Sequence, residues 1–289
     1  MALSRSKKSA LLAAFLVPAL VVVGSVSEWG KDAILHPARR SAPSEPPVPH
    51  ESVSLRGQGI ELEGWRFPAE NPRRGLVVYL HGSSDDRRGG AGIARRFTPL
   101  GFEVLAYDLR AHGQSGGEAC TYGVLESRDL ARVLDGETPG PVVLIGFSLG
   151  ASIALQAAAL DPRVSLVVAI SAFSDLHTIV HERAPFFISR RHVDEALRRA
   201  GVEAGFAVDE ASPLAAAERV RCPVLLVHGS GDTATPPAHS QRIHAALTCE
   251  KELVLLPDAG HDDPLDDSLW KRIEEAVDRA APANNGAPR

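Results

Sequence analysis

Three residues able to perform acyl-transfer chemistry stand in this chain, each in a short turn behind an apolar run. Ser148 is the centre of Gly146-Phe147-Ser148-Leu149-Gly150, which follows Val142-Val143-Leu144-Ile145. Asp232 ends His228-Gly229-Ser230-Gly231-Asp232, directly after Val224 to Val227. His261 ends Pro257-Asp258-Ala259-Gly260-His261, directly after Leu253 to Leu256. A serine hydroxyl is a poor nucleophile at neutral pH. It needs an imidazole to take its proton and a carboxylate to orient and stabilise that imidazole. A Gly-x-Ser-x-Gly set between a strand and a helix turns so tightly that the serine Oγ projects clear of the sheet, and its partners then follow in the order serine, acid, histidine. The spacing here has that order. The oxyanion of such a reaction needs donors. The expected ones are the backbone N–H of Leu149, opening the helix after the turn, and that of Ser83, in the loop after His81-Gly82. His81 is expected to brace that loop.

Other residues compete for these roles. Asp175, after the run ending at Ile170, is a second candidate acid. Asp262, Asp263, Asp266 and Asp267 cluster with His261 as metal ligands would. The simpler expectation is a helix capped by Asp263 with Pro264 at its first position, where acidic groups suit the helix dipole. No metal or cofactor is therefore assigned.

The elements that must position these groups alternate. Val53-Ser54-Leu55 and Ile60 to Phe67 read as a hairpin turning at Gly57 and Gly59. Strands are then expected at Leu76–Leu80, Glu103–Tyr107, Val142–Ile145, Val164–Ile170, Val224–Val227 and Leu253–Leu256. Helices are expected at about Ala91–Leu100, Leu125–Leu134, Ala151–Leu160, Pro237–Leu247 and Leu265–Ala280. Unbroken apolar strands alternating with helices imply an α/β fold with a mostly parallel central sheet covered on both faces. In such sheets, sites form beyond the carboxyl ends of the strands. Residues 174 to 212 break the alternation and read as a small helical lid. Its Phe186, Phe187 and Phe206 are expected either to face an apolar acyl or alcohol group or to pack the lid on the core.

Composition narrows the function classes. The chain has 289 residues, 44% hydrophobic and 23% charged, with net charge −5. Nucleic-acid binding needs clustered Lys and Arg, and the Arg pairs here (73-74, 87-88, 95-96, 190-191, 198-199) are scattered. No strand is followed by Gly-x-Gly-x-x-Gly, which argues against a dinucleotide site. Arg5, Lys7 and Lys8 precede an uncharged, mostly apolar run from Ser9 to Val26. Residues 1–35 are therefore expected to act as a membrane anchor, or alternatively as a cleaved signal, with the rest of the chain outside the cytoplasm. Residues 36–51, with Pro43, Pro46, Pro47 and Pro49, read as an extended linker. Residues 52–283 are expected to form the main domain and 284–289 a tail. Of the three cysteines, Cys222 and Cys249 precede consecutive strands and can meet at one sheet edge if those strands are parallel neighbours; Cys120 is left over.

His81-Gly82-Ser83, Asp108-Leu109-Arg110-Ala111-His112-Gly113-Gln114-Ser115, Gly146 to Gly150, Gly231-Asp232 and Gly260-His261 occur in this order. Together they resemble the α/β-hydrolase superfamily over about residues 52 to 280. The closest likeness is to its small-lid serine hydrolases, the serine aminopeptidase-like and membrane-anchored branch. The resemblance implies nucleophile Ser148, acid Asp232, base His261, and oxyanion donors Leu149 and Ser83. It implies a mainly structural role for Asp108, His112 and Ser115, and Tyr122-Gly123 with Glu126 and Asp129 matches the same branch. The triple-glycine loop of the hormone-sensitive-lipase group and the propeller of prolyl-oligopeptidase-like enzymes are both missing. Three readings follow. The first is hydrolysis of a carboxylic ester or related acyl bond of a small molecule. The second is a peptidase or amidase, with Glu182, Asp194 or Glu195 holding a substrate ammonium. The third is a non-catalytic binding module.

Overall fold

Every strand read from an unbroken apolar run enters the same sheet, because a strand apolar on both faces must be covered on both. In order the strands are β1 (Glu51–Arg56), β2 (Glu61–Phe67), β3 (Gly75–Leu80), β4 (Phe102–Tyr107), β5 (Val142–Phe147), β6 (Val164–Ile170), β7 (Val224–Gly229) and β8 (Lys251–Leu256). The computed structural model describes residues 26–40, 44–263 and 265–282. Across the sheet the order is β1-β2-β4-β3-β5-β6-β7-β8. The β1–β2 hairpin and its seam with β4 are antiparallel, and every later pairing is parallel. The parallel strands therefore all end at one rim.

Two apolar layers cover the sheet. On one face Leu130, Val133, Ile153 and Ile243 pack from α3 (Val124–Asp135), α4 (Leu149–Ala158) and α8 (Ala238–Ala246). On the other, Ala94, Phe97, Ile273 and Val277 pack from α2 (Gly90–Phe97) and α9 (Asp267–Ala280). The lid between β6 and β7 consists of α5 (Leu176–Arg183) and α6 (Arg190–Ala204), and α7 (Pro213–Ala217) leads back to the sheet. Phe206 is buried, but Phe186 and Phe187 are 99% and 72% exposed. Only one of the three lid phenylalanines packs the lid on the core.

Two expectations about helix starts need correction. The helix after the serine turn begins at Leu149, two residues early, because Ser148 itself forms its N-terminal boundary. The last helix is not capped by Asp263. It starts at Asp267, and the Asp266 carboxylate accepts from the Leu269 N–H at 2.8 Å. Asp263 is spent elsewhere, accepting the Gly260 N–H at 2.7 Å. Pro264 lies outside the described residues, as do residues 284–289.

Residues 26–35 are helical, here α1, with Ile34 and Leu35 buried. The apolar run Ser9–Val26 lies outside the described residues except for Val26. Among the described residues no helix is long and apolar enough to cross a membrane. The first part of the segment expected to be a linker lies on the domain: the His36 Nδ1–H donates to Glu118 O at 2.8 Å, and Arg39 Nη1 to Ser115 O at 2.6 Å. Strands β7 and β8 are parallel neighbours, yet Cys222 and Cys249 are free thiols, as is Cys120. Burial first, and then the nearby Cys249, push the Cys222 thiol up to about 11.

Candidate active site

The turn between β5 and α4 is forced into its shape by contact. Ser148 has φ 50° and ψ −109°, a region that costs a non-glycine residue on the order of 1–3 kcal/mol. A Cβ on Gly146 would lie 2.4 Å from the Gly150 carbonyl group, and one on Gly150 only 2.0 Å from Leu80 O. Both glycines are therefore required by backbone approaching backbone. The Ser148 N–H donates to Ile170 O at 2.8 Å, tying the turn to β6. The side chain is left at the carboxyl rim of the sheet.

Two other loops converge there. The Asp232 carboxylate is buried, and its Oδ1 accepts the N–H groups of Ala234 and Thr235 at 2.9 and 2.8 Å. Its Oδ2 accepts from His261 Nδ1 at 2.6 Å, and His261 Nε2 lies 3.1 Å from Ser148 Oγ. With Nδ1 protonated toward the carboxylate, Nε2 is the acceptor for the serine proton. The acid and histidine loops press together: a Cβ on Gly229 would lie 2.2 Å from Ala259 O. Asp263 holds the peptide just before His261 through Gly260, and the Phe147 ring lies 5.2 Å from the imidazole. His228, also buried, donates from Nε2 to Thr235 O at 2.7 Å and lies 3.3 Å from Asp232 Oδ2.

Ser83 and Leu149 flank this rim. Neither N–H has a backbone acceptor among the described residues; that of Leu149 lies in the first helical turn, where N–H groups lack intrahelical partners. The backbone of Gly82 approaches the nucleophile, since a Cβ there would lie 3.7 Å from Ser148 Cβ. His81 fixes this loop. Its Nε2 accepts the Leu109 N–H at 2.9 Å and its Nδ1–H donates to Gly82 O at 2.7 Å. Burial pulls its pKa down to about 4, so the ring stays neutral near pH 7. Asp108 and Ser115 act structurally. Asp108 accepts from the buried Arg87 guanidinium at 2.6 Å, and the Ser115 hydroxyl donates to Asp108 O at 2.5 Å. Glu126 and Asp129 likewise bind their neighbours, Thr121 and Arg110.

Asp175 is not brought to His261. It caps α5, accepting the Thr178 N–H at 2.7 Å. The lid carboxylates are engaged as well. Glu182 accepts from His239 at 2.7 Å, Asp194 from His181 at 2.7 Å, and Glu195 from Arg198 and Arg199 at 2.8 and 2.7 Å. Glu182 belongs to a second serine–histidine–acid arrangement, with Ser174 Oγ 2.8 Å from His239 Nδ1. Both Ser174 and His239 are fully buried, so this network fastens α5 to α8 and admits no substrate. The acids following His261 do not converge on it as ligands. His177, His181 and Asp194 on the lid, and Asp32, His36 and Glu203, are the described groups with metal-ligand spacing. Sequence reasoning missed Phe147, Ala234, Thr235 and His228. Phe147 and His228 stand inside the turn motifs but at positions whose residue type the motifs leave open, and Ala234 and Thr235 supply only backbone N–H groups.

A sheet of this order, with a serine on the turn after its fifth strand, defines a class of protein, and the family comparison agrees. The model of the alpha/beta hydrolase family matches residues 77–276. The chain belongs to that family. An uncharacterized protein of Mycobacterium tuberculosis is 29% identical over 229 residues, 78% of this chain and 76% of its own. Among solved structures, an esterase of Pyrococcus furiosus superposes with TM-score 0.68 at 22% identity, covering 84% of this chain and 98% of that one. An acylaminoacyl peptidase of Pyrococcus horikoshii superposes at 0.63 with 15% identity, over 83% of this chain and 43% of the other. At those identities the likeness is one of fold. The family and fold support a hydrolytic enzyme.

Proposed function

We propose that the chain is a serine hydrolase that cleaves a carboxylic ester through an acyl-enzyme intermediate. One observation carries the reading: the unbroken hydrogen-bonded line from Ser148 Oγ through His261 to Asp232, at 3.1 and 2.6 Å. In the first step Ser148 Oγ bonds to the substrate carbonyl carbon while His261 Nε2 takes its proton, and the carbonyl oxygen becomes an oxyanion facing the N–H groups of Leu149 and Ser83. Collapse expels the alcohol, which receives that proton from His261. Water then attacks the acyl group with His261 as base, and Ser148 regains its proton as the acid product leaves.

An aminopeptidase or amidase is the other reading. An aminopeptidase requires a carboxylate free to hold an ammonium, whereas Glu182, Asp194 and Glu195 already hold His239, His181 and two arginines. That favours the ester. A fluorophosphonate probe should label the folded protein, and p-nitrophenyl esters should turn over much faster than aminoacyl anilides. A faster anilide would transfer the proposal to peptides. No labelling of folded protein would leave a binding module.

We also propose that the domain works outside the cytoplasm, tethered by residues 9–26. The support is the apolar run behind Arg5, Lys7 and Lys8. The full chain should remain with membranes after an alkaline wash. Release by that wash would exclude an integral anchor.

A further inference from the structure

A cavity of about 420 Å³ lies between α1 and the lid, within the size range of small-molecule sites. Trp29, Ala33 and Ile34 form one wall, Ile179, Ile188 and Val193 the other, and Ser83 lies on its lining. We infer that this cavity is an acyl-chain site and that α1 is one of its walls, making the N-terminal helix part of substrate recognition. The inference rests on the serine-hydrolase reading for its chemistry and goes further by naming the substrate class, an ester whose acyl part is a hydrocarbon chain.

The lining chemistry selects that occupant. Apolar side chains make up most of it, and no Asp or Glu is among the residues described there. An aminoacyl group with its free ammonium would find no counter-charge. The one guanidinium on the lining, Arg183, is committed: its Nε donates to Ala234 O at 2.9 Å and its Nη2 to Thr235 Oγ1 at 2.8 Å. It thereby fixes the α5 wall to the turn that holds Asp232. Ser83 supplies the connection to the reacting carbon. A carbonyl oxygen held by its N–H places the attached chain at the cavity's edge.

The α1 wall is built in. The Tyr122 hydroxyl donates to Ile34 O at 2.9 Å, and the Cys120 N–H to Leu35 O at 2.9 Å. Lys31 pairs with Glu203 of α6 at 2.5 Å, and Glu28 pairs with Arg199. Gly30 lies so close to α6 that a Cβ there would sit 3.0 Å from Ala196 Cβ. Further along the same segment, Arg40 Nε donates to Ser84 O at 2.9 Å. One stretch of chain therefore holds both a cavity wall and the loop that carries Ser83.

The test uses the full-length chain and p-nitrophenyl esters from butyrate to laurate. In the wild type, kcat/KM should rise on the order of fourfold per added methylene while the chain finds apolar surface to cover. Ala33→Trp fills the cavity from α1 and should lower the laurate-to-butyrate ratio by about tenfold or more. An unchanged ratio in Ala33→Trp would overturn the inference. A second measurement is independent of turnover. Brominated dodecanoic acid should quench Trp29 emission in Ser148→Ala, with the quenched component missing in Ser148→Ala carrying Trp29→Phe. Quenching without any hydrolysis or probe labelling by the wild type would sink the hydrolase reading and leave the cavity assignment standing. Hydrolysis without quenching or chain-length preference would do the reverse.

Discussion

Ser148→Ala should lower ester turnover by about ten-thousandfold to a millionfold, to the level left by binding and oxyanion donors alone. The fold should survive the change. Alanine accepts the strained φ of 50° no worse than serine does, and the Oγ makes one side-chain hydrogen bond, to His261. Losing one such bond at a site open to substrate should change stability by only about 1 kcal/mol. The backbone anchor to Ile170 O is untouched. Measuring kcat/KM with p-nitrophenyl butyrate beside a thermal melt separates the two effects. Turnover within about tenfold of wild type, at an unchanged melting temperature, would place the nucleophile on another residue. The sealed Ser174 is no substitute, since its hydroxyl is fully buried against His239.

The parts legible in the sequence are those governed by local rules. Six apolar runs became six parallel strands, and Val164–Ile170 matches to the residue, because a strand covered on both faces shows itself as an unbroken apolar stretch. The elbow was legible because its two glycines are demanded by contacts within the turn and with the end of the neighbouring strand. Helix ends were less so. Asp263 looks like a cap until the Gly260 N–H claims its carboxylate, and only the folded loop reveals that competition. The choice between Asp232 and Asp175 was open for the same reason. Both follow strands, and Asp175 is withdrawn by the first turn of its own helix. Least legible were pairings across long separations. Lys31 with Glu203 and Glu182 with His239 join polar groups that look like solvated helix faces when read alone.

Asp232→Asn should lower kcat by about ten-thousandfold, nearly as severely as removing the serine, while leaving the backbone in place. The direction follows from who donates to whom. The Asp232 Oδ1 accepts two N–H groups, from Ala234 and Thr235. An asparagine satisfies both only by placing its carbonyl oxygen there. Its amide NH₂ then faces His261 Nδ1 where a carboxylate oxygen stood. Two donors cannot share that contact, so Nδ1 must give up its proton and become an acceptor. The neutral ring then carries its proton on Nε2, aimed at Ser148 Oγ, and cannot take the serine's proton. Fluorophosphonate labelling offers the sharpest readout. The serine remains present, so labelling should slow in proportion to kcat while final stoichiometry stays at one probe per chain. Unchanged labelling rates in Asp232→Asn would mean that His261 is oriented by some other group, and the hydrogen-bonded line through Asp232 would lose its part in the mechanism.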